Sequence, residues 1–320
     1  MKKIGVVTSG GDAPGINAAI RAIVRTAHSL NLETIGFHRG WDGIMQNDSK
    51  PLTPRSVGGI MQLGGTILHT HRSSEFETKK GVRKAARTLA KTRVEGLVVI
   101  GGDGSFRGAC ELSKESDTLI VGCPATIDND VYGTDETIGF DTAVNTAVSE
   151  IDKIRDTAIS HERVFIVEVM GRKRGFLALT AGLTSGAEVI IVPEIRTKIK
   201  TIMETLRENS KKGKRSSIIV KAEGAGDPRR LAKEIESRMG SEVRISVLGY
   251  AQRGGSPTAR SRLLASLFGN KAVHLLLKEQ GNKMIGLQNG QISTLALEKS
   301  CKSNKLLDLN LLLLANVLAT

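Results

Sequence analysis

Aromatic residues and cysteines are both scarce in this chain of 320 residues. Phe, Trp and Tyr together make up 3% of it, so there are few candidates for the stacking platforms that bind single-stranded nucleic acids. The three cysteines, Cys110, Cys123 and Cys301, form no Cys-x-x-Cys pair and lie far apart in the sequence. This spacing argues against a zinc site or a disulfide framework and suits a reducing compartment.

Long apolar runs are also absent. The N-terminal MKKIGVVTSGGD returns to polar residues too soon for a signal peptide, and no run approaches the length of a membrane span. We therefore expect a cytoplasmic protein without membrane association. Acidic residues are fewer than basic ones: the chain has 33 Asp and Glu and 46 Lys and Arg, which gives a formal net charge of +13. That surplus fits phosphate ligands, nucleic acid or a merely solvated surface, and charge alone does not separate the three.

One stretch reverses this charge balance. Residues 123–147, CPATIDNDVYGTDETIGFDTAVNTA, contain no Lys or Arg and hold five acids, namely Asp128, Asp130, Asp135, Glu136 and Asp141. Asp128 and Asp130 are one residue apart and can converge in a loop, where one carboxylate could accept a hydroxyl proton during phosphoryl transfer. For the other three acids, a turn and a helix-capping cluster before a predicted helix is an equally simple interpretation.

Short β-branched runs alternate with helix-like segments along the chain. The runs predict strands at 4–9, 33–37, 96–102, 118–122, 163–169, 188–193, 216–223 and 244–249. The segments between them predict helices at 16–30, 79–92, 139–159, 197–211, 228–239 and 258–279. Apolar strands alternating with helices are typical of doubly wound α/β folds with parallel sheets. The Leu-rich tail, 306–319, predicts a docking helix.

Two glycine-rich loops follow predicted strands, where ligands bind in open α/β sheets. In TSGGDAPG, Gly10 and Gly11 precede a helix that begins near Asn17, and free amides at a helix N-terminus favour phosphate. In IGGDGS, glycines surround Asp103, and a carboxylate on such a loop can hold Mg²⁺. A tight turn explains the first loop equally well and the second loop less well, and together the two loops indicate a phosphate and metal site.

Five motifs in order, TSGGDAPG, IGGDGS, TIDND, VMGR and LGYAQRGGSP, resemble the bacterial ATP-dependent 6-phosphofructokinases from Lys3 to about Gly290. The resemblance implies two doubly wound α/β domains of the phosphofructokinase type. Residues 1–139 with about 252–304 would form a larger ATP-binding domain, and 140–251 with about 305–320 a smaller sugar-phosphate-binding domain. It also implies a homotetramer that transfers the γ-phosphoryl of Mg-ATP to the 1-hydroxyl of fructose 6-phosphate in glycolysis.

The resemblance also implies roles for individual residues. The catalytic group would comprise Asp128 as the base, Thr126 and Asp130 beside it, and Arg172 on the transferring phosphoryl. The ATP site would comprise Gly11, Arg72, Ser73, Gly102, Asp103, Gly104 and Ser105, with Asp103 toward Mg²⁺. The sugar site would comprise Thr126, Ile127, Asp128, Arg163, Met170, Gly171, Arg172, Glu223, Arg244, Tyr250, Ala251, Gln252 and Arg253. Of these, Arg163, Arg244 and Arg253 would grip the 6-phosphate, because guanidinium forks bind phosphate oxygens in pairs.

A second basic set resembles the family's effector site, which implies activation by ADP and inhibition by phosphoenolpyruvate. Arg21 and Arg25 are four residues apart, so they lie side by side on one helix face. The full set is Arg21, Ala22, Ile23, Val24, Arg25, Arg55, Arg155, Gly186, Ala187, Glu188, Lys212, Lys214, Arg215 and Ser216. Within it, Glu188 matches an acid that meets a metal on the effector's phosphates.

The chain departs from the family pattern at a few positions. Tyr250 stands where the family has a histidine, and Ser261 where it has an aspartate. Ala125 stands where the family has a glycine, and its methyl group would crowd the backbone there. These changes predict weaker substrate binding or altered regulation, and a catalytically weakened homologue is one alternative. A pyrophosphate-dependent phosphofructokinase is another, but that type resembles this chain except for an acid at position 104 and a lysine at 125. Gly104 and Ala125 therefore favour ATP.

Overall fold

The computed structural model describes residues 1–319, which fall into two compact units. Unit 1 comprises Met1–Thr142 and Arg253–Lys305, and unit 2 comprises Ala143–Gln252 and the chain from Leu306. Elements are numbered along the whole chain, and the first unit boundary falls inside helix α5, Phe140–His161.

Unit 1 is built on a seven-stranded sheet in the order β11-β10-β5-β4-β1-β2-β3. Its strands are β1 (Lys3–Ser9), β2 (Glu33–Phe37), β3 (Ser49–Pro51), β4 (Gly96–Gly101), β5 (Leu119–Pro124), β10 (Lys283–Gln288) and β11 (Gln291–Ala296). The five central strands are parallel, and β3 and β11 pair antiparallel at the edges. Its helices are α1 (Ile16–Ser29), α2 (Trp41–Gln46), α3 (Lys79–Lys91), α4 (Asp103–Glu115), α9 (Ala259–Leu277) and α10 (Leu297–Lys302).

Unit 2 has a four-stranded parallel sheet in the order β7-β8-β6-β9. Its strands are β6 (Val164–Val169), β7 (Val189–Ile191), β8 (Ser217–Ala222) and β9 (Val243–Val247). Its helices are α6 (Phe176–Thr184), α7 (Ile199–Lys211), α8 (Pro228–Met239) and α11 (Leu309–Leu318). Two 3₁₀ turns, Glu223–Ala225 and Gly249–Arg253, follow β8 and β9.

Local sequence explains these elements. All six residues of β4 and of β8 are buried, as expected for central parallel strands covered on both faces. Helix α8 begins where the Asp227 side chain accepts a hydrogen bond from the Arg229 amide, and Pro228 occupies its first turn. It ends at Gly240, which takes the left-handed conformation common at helix C-termini.

The structure confirms the α/β class with largely parallel sheets, and each of the eight predicted strands is present. Three strands were not predicted, namely the edge strands β3 and β11 and the neighbouring β10. The turn between β10 and β11 contains Asn289 and Gly290, both with positive φ, which is a hairpin signal that the prediction missed.

Helix prediction was wrong for α4, because GGDG was interpreted as a loop whereas a helix begins at Asp103. Helices α2, α6 and α10 were also missed. The Leu-rich tail forms α11, which packs near α6 and β7 but leaves leucines such as Leu313 exposed. No helix in residues 1–319 combines the length and hydropathy needed to cross a membrane.

Candidate active site

The carboxyl ends of β1, β4 and β5 bring the three predicted loops together in unit 1. These strands are neighbours in the parallel sheet, so the loops after them leave from the same edge. The Ser105 hydroxyl, in the first turn of α4, donates to the Ser9 carbonyl at the end of β1 over 2.8 Å. A methyl group on Gly102 would lie 3.4 Å from Cβ of Thr126, in the loop after β5. The glycine loop and the TIDND loop are therefore in van der Waals reach.

The N-terminus of α4 is open. Gly102 is its N-cap residue, and no side chain caps the helix there, so amides at this end can face a ligand. A methyl group on Gly104 would meet no atom within 4 Å. Asp103 forms an ion pair with Arg107, one turn further along the helix, and its side chain is about one-third exposed. This combination of free space, amides and one accessible carboxylate suits a phosphate with its metal.

The TIDND loop is held in place by the side chain of Asn129. Its amide nitrogen donates to the Asp135 carbonyl over 3.1 Å, and its oxygen accepts from the Thr137 amide over 3.1 Å. Asn129 itself has a φ of +51°, a left-handed conformation that asparagine tolerates better than most residues. The neighbouring Asp128 is 2% exposed, and its amide donates to the Thr126 hydroxyl over 3.2 Å. The sequence prediction did not identify Asn129.

The other three acids of this stretch make structural contacts. Asp135 accepts from the Asn289 amide over 2.8 Å, and Glu136 accepts from the Arg260 guanidinium over 2.8 Å. Asp141 accepts from the Thr258 hydroxyl at the start of α9. These contacts connect the acidic loop to the β10–β11 turn and to α9, so the three carboxylates support the loop rather than face a ligand.

A lysine from far along the chain supplies positive charge to this stretch. Lys305 donates to the Asp135 carbonyl over 2.9 Å. Burial lowers the pKa of Lys305 to about 8, although the charges of Asp135, Asp130 and Glu136 act in the opposite direction. The sequence prediction missed Lys305, since 170 residues separate it from Asp135.

The loop after β1 meets two further predicted regions. A methyl group on Gly11 would lie 2.8 Å from Nη1 of Arg253, so this glycine leaves room for a guanidinium predicted to bind the sugar phosphate. The Thr70 hydroxyl donates to the Gly10 carbonyl over 2.8 Å and anchors the segment that carries Arg72 and Ser73. Arg72 is exposed, and the Ser73 hydroxyl accepts from the Phe76 amide.

In unit 2, the loops after β6 and β8 contact each other at Arg172. Its amide donates to the Glu223 carboxylate over 2.5 Å, and its φ of +53° is left-handed. A methyl group on Gly171, whose φ is +130°, would lie 2.6 Å from the Arg174 carbonyl. Such strain is typical of functional loops. The structure therefore brings two predicted residues, Arg172 and Glu223, into direct contact.

The loop after β9 is fixed by Gln252. This residue is fully buried, its side-chain oxygen accepts from the Met170 amide over 3.3 Å, and its amide nitrogen donates to the Gly249 carbonyl over 3.0 Å. Gln252 therefore positions the loop rather than presenting its side chain to a ligand. By contrast, Tyr250 is 80% exposed and Ala251 is exposed beside it.

Two predicted phosphate-binding arginines lie together at the edge of the unit 2 sheet. Arg163 precedes β6 and Arg244 lies on the adjacent β9. Glu242 pairs with both, at 2.7 Å from Nε of Arg163 and through its other oxygen to Arg244. The two guanidinium groups therefore share one carboxylate, and the sequence prediction did not identify Glu242.

The predicted effector residues of unit 2 surround Glu188. This carboxylate is buried and pairs with Arg155 at 3.2 Å and with Lys214 at 2.5 Å, and its second oxygen accepts from the Ile218 amide. Arg155 also donates to the carbonyls of Ser185 and Gly186. Of the remaining members, Ala187 is buried, Lys212 is exposed, Ser216 is half-buried, and Arg215 pairs with Glu162 at 2.8 Å.

The predicted effector residues of unit 1 lie on different faces of α1. Arg25 is exposed and Arg21 half-buried, as the four-residue spacing predicts, and Ala22 is half-buried beside them. Ile23 and Val24 are buried in the core, so their side chains do not reach a ligand. Arg55 is exposed in the segment after β3.

Two departures from the family pattern are accommodated. Ala125 is not among the residues with positive φ, and it forms a parallel bridge with Ile138, so the predicted crowding is not found. Its amide donates to the Gly101 carbonyl over 2.9 Å. Ser261 is buried at the start of α9, where its hydroxyl accepts from Thr142 over 2.8 Å.

Fold and site together define a phosphoryl-transfer protein of the α/β class. The sequence matches the Phosphofructokinase family over residues 3–276, so the chain belongs to that family. It is 53% identical, over the full length of both, to "ATP-dependent 6-phosphofructokinase 1" of Thermus thermophilus, and 50% identical, again over both full lengths, to the ATP-dependent 6-phosphofructokinase of Brevibacillus brevis.

Solved structures agree in fold. The phosphofructokinase of Saccharomyces cerevisiae superposes with a TM-score of 0.87 at 36% identity over 94% of this chain, which spans 45% of the yeast chain. A pyrophosphate-dependent phosphofructokinase from Marinobacter aquaeolei superposes with a TM-score of 0.86 over 97% of this chain and 86% of its own, but at 22% identity. That likeness shows the fold alone and does not separate ATP from pyrophosphate as the donor.

Proposed function

We propose that this chain is a glycolytic ATP-dependent 6-phosphofructokinase, which transfers the γ-phosphoryl group of ATP to the 1-hydroxyl of fructose 6-phosphate. The products are fructose 1,6-bisphosphate and ADP. The observation that supports the proposal is the proximity of the open α4 N-terminus, at Gly102, to Thr126 in the loop that also carries the buried Asp128. The curated relatives at about half identity carry this activity in their names. Because ATP and sugar phosphates are intracellular metabolites, the reaction belongs in the cytoplasm.

ATP would bind with its phosphates at the loops of Gly11 and Gly102–Ser105, with Arg72 and Ser73 beside them. The space around Gly104 would accommodate the nucleotide, and the neutral side chain of Ala125 disfavours pyrophosphate. Asp103 fits the Mg²⁺ that accompanies ATP, since Mg²⁺ is commonly held by one or two carboxylates together with substrate phosphates. The ion would neutralise charge on the β- and γ-phosphates. Arg107 would then release Asp103.

Asp128 would act as the general base. It takes the proton from the 1-hydroxyl as that oxygen attacks the γ-phosphorus, and the bond to the ADP oxygen breaks. Thr126 and Ile127 line the same loop, and Asp130 lies near Lys305, which balances part of the local negative charge. Asn129 would hold the base in position. Positioning of this kind is most of what a protein contributes to phosphoryl transfer.

The sugar phosphate would be bound by the predicted sugar-site residues. Arg172 would stabilise the transferring phosphoryl, and Glu223, Met170 and Gly171 would contact the sugar. Arg163, Arg244 and Arg253 would grip the 6-phosphate, with Tyr250 in place of the family histidine and Ala251 next to it. A phosphate at Arg163 and Arg244 would compete with Glu242, which holds both guanidinium groups in the structure.

Regulation and assembly belong to the same proposal. ADP and phosphoenolpyruvate would bind the basic set that includes Arg155 and Lys214, with Glu188 toward an effector-bound Mg²⁺. The chain would form a homotetramer, as the family resemblance implies. The edge strand β9, whose Ile245 and Val247 are 36% and 60% exposed, offers a surface for contact with another copy. An exposed apolar strand edge is a surface that proteins normally cover.

A pair of isosteric substitutions tests the role of Asp128. Asp128→Asn removes the base, so kcat should fall by roughly two to four orders of magnitude while the KM for ATP stays near the wild-type value. Asp135→Asn is the matched control, because the amide oxygen of the introduced asparagine can still accept from the Asn289 backbone amide. In this control kcat should change by less than about threefold. Unchanged turnover in Asp128→Asn would remove Asp128 from its role. Equal losses in both variants would show a loop effect rather than lost base catalysis.

A further inference from the structure

Two cysteines that are 191 residues apart in the sequence meet in unit 1. Cys110 lies on α4 and Cys301 on α10, and their sulfur atoms are 3.3 Å apart. Both side chains are partly exposed at the edge of the core. Cys123 differs, because it is fully buried and its sulfur lies 3.8 Å from the Phe268 carbonyl. The chain therefore has one accessible thiol pair and one sequestered thiol.

The pair is close to the geometry of a disulfide. A disulfide bond is about 2.05 Å long, so the two sulfurs need to approach by only about 1.2 Å. The pair is carried by two packed helices, so rotation of the side chains and a small helix shift can supply that approach. The bond would join residues that are 191 apart in the sequence, so the closed loop would include residues 143–252 of unit 2 as well as part of unit 1.

The two thiols are chemically unequal. Either thiol can donate in the hydrogen bond between the two sulfurs. This hydrogen bond lowers the pKa of Cys301, the Ser300 hydroxyl and Arg107 act in the same direction, and burial and Asp103 oppose them. The same hydrogen bond and burial raise the pKa of Cys110, which Glu298 raises further and Lys114 lowers. Cys301 is thus the thiol that more readily forms a thiolate, and Cys110 is placed to resolve an adduct on it.

We propose that Cys110 and Cys301 form a reversible disulfide, with a low-molecular-weight disulfide as the oxidant. The Cys301 thiolate attacks one sulfur of the oxidant and releases the other half as a thiol. Cys110 then loses its proton and attacks the Cys301 sulfur, and the second half leaves as a thiol. The two cysteines lose two hydrogens in all and the oxidant gains them, so the exchange balances.

The disulfide changes the part of the site where ATP would bind, and this effect rests on the proposed function. Helix α4 begins at Asp103, two turns before Cys110, and its first turn includes the Ser105 contact to Ser9. Pulling Cys110 toward α10 shifts this helix against β1 and displaces its N-terminus. The KM for ATP therefore rises on oxidation, whereas the KM for fructose 6-phosphate stays unchanged.

The test uses the full-length protein in buffers of oxidised and reduced glutathione. In the wild type, peptide mapping should find Cys110 joined to Cys301 and free Cys123, and dithiothreitol should reverse the bond. Cys110→Ser should instead accumulate glutathione on Cys301, because the resolving thiol is gone. Cys301→Ser should form no cross-link, and Cys123→Ala should behave as the wild type.

Different results overturn different parts of the proposal. A wild-type protein that stays reduced, or that gathers glutathione on both cysteines without a cross-link, refutes the disulfide. Glutathione on Cys110 in preference to Cys301 refutes the order of attack. Full cross-linking with an ATP KM that rises by less than about twofold refutes the link to α4. The thiol readouts need no activity, so they stay separate from failure of the proposed function.

Discussion

Asn129 gives a stringent test of how the TIDND loop is held. The residue supplies the acceptor for the Thr137 amide and a donor to the Asp135 carbonyl, and it does so from a left-handed backbone. Thr137 is fully buried, so loss of its acceptor should cost about 1–3 kcal/mol. The Asp135 carbonyl keeps its hydrogen bond from Lys305 and contributes less.

Two substitutions separate the hydrogen bonds from the backbone. Asn129→Gly and Asn129→Ala both remove the side-chain amide, but only glycine adopts a φ of +51° without strain. Alanine in that conformation costs about 1–2 kcal/mol, which exceeds the roughly 0.4–1 kcal/mol that it gains by restricting the unfolded chain. Asn129→Gly should therefore be about 2 kcal/mol less stable than wild type, and Asn129→Ala about 0.5–1 kcal/mol less stable again.

Urea unfolding at one protein concentration measures this order of stability. The slope of the unfolding free energy against urea concentration is compared between the variants. An alanine variant as stable as the glycine variant would refute the strain argument. A glycine variant within about 0.5 kcal/mol of wild type would refute the hydrogen-bond argument. In both variants kcat should fall by about 10- to 100-fold, because Asp128 is no longer held.

Three further predictions concern charge. Gly104→Asp should raise the KM for ATP by about 10- to 100-fold, because the new carboxylate repels the phosphates. Gly104→Ala should leave this KM unchanged, since its methyl group would meet no atom within 4 Å. An equal rise in KM for both variants would point to backbone geometry instead of charge. Lys305 binds a proton up to about pH 10.5 in the unfolded chain but only to about pH 8 in the folded one. The free energy of unfolding should therefore rise from pH 8 to 10.5, by about 3 kcal/mol. Lys305→Met should flatten that rise relative to wild type in urea unfolding, and a parallel rise in both proteins would contradict the pKa shift. Glu242→Gln removes the charge that holds Arg163 and Arg244, so the KM for fructose 6-phosphate should fall by about two- to tenfold. A rise in this KM would instead mean that Glu242 orients the arginines for binding.

The sequence predicted the central architecture because its signals are local. Continuous β-branched runs such as β4 and β8 are buried on both faces, and their composition alone indicates strands. Helix α4 was missed because glycines on both sides of Asp103 carry low helix propensity, which the packed sheet overrides. Strand β11 has only a weak alternating pattern and β10 is a short buried run that contains a glycine, so the Asn-Gly turn is the clearest local signal for this hairpin.

The site was predictable where motifs follow strands and unpredictable where it depends on distant pairing. Asp103 and Asp128 could be singled out from loops of fewer than ten residues. Lys305 and Glu242 could not, since Lys305 contacts Asp135 across 170 residues and Glu242 pairs with both Arg163, just before β6, and Arg244, on β9. The cysteines looked isolated in sequence for the same reason, although Cys110 and Cys301 are in contact.

The central claim is that this chain phosphorylates fructose 6-phosphate and uses ATP to do so. The most direct measurement is formation of fructose 1,6-bisphosphate by the purified protein with Mg²⁺ and fructose 6-phosphate, supplied in parallel with ATP or with pyrophosphate. The open space at Gly104 and the neutral Ala125 predict product with ATP and none with pyrophosphate. Product with pyrophosphate alone, or no product from folded protein with either donor, would contradict the account.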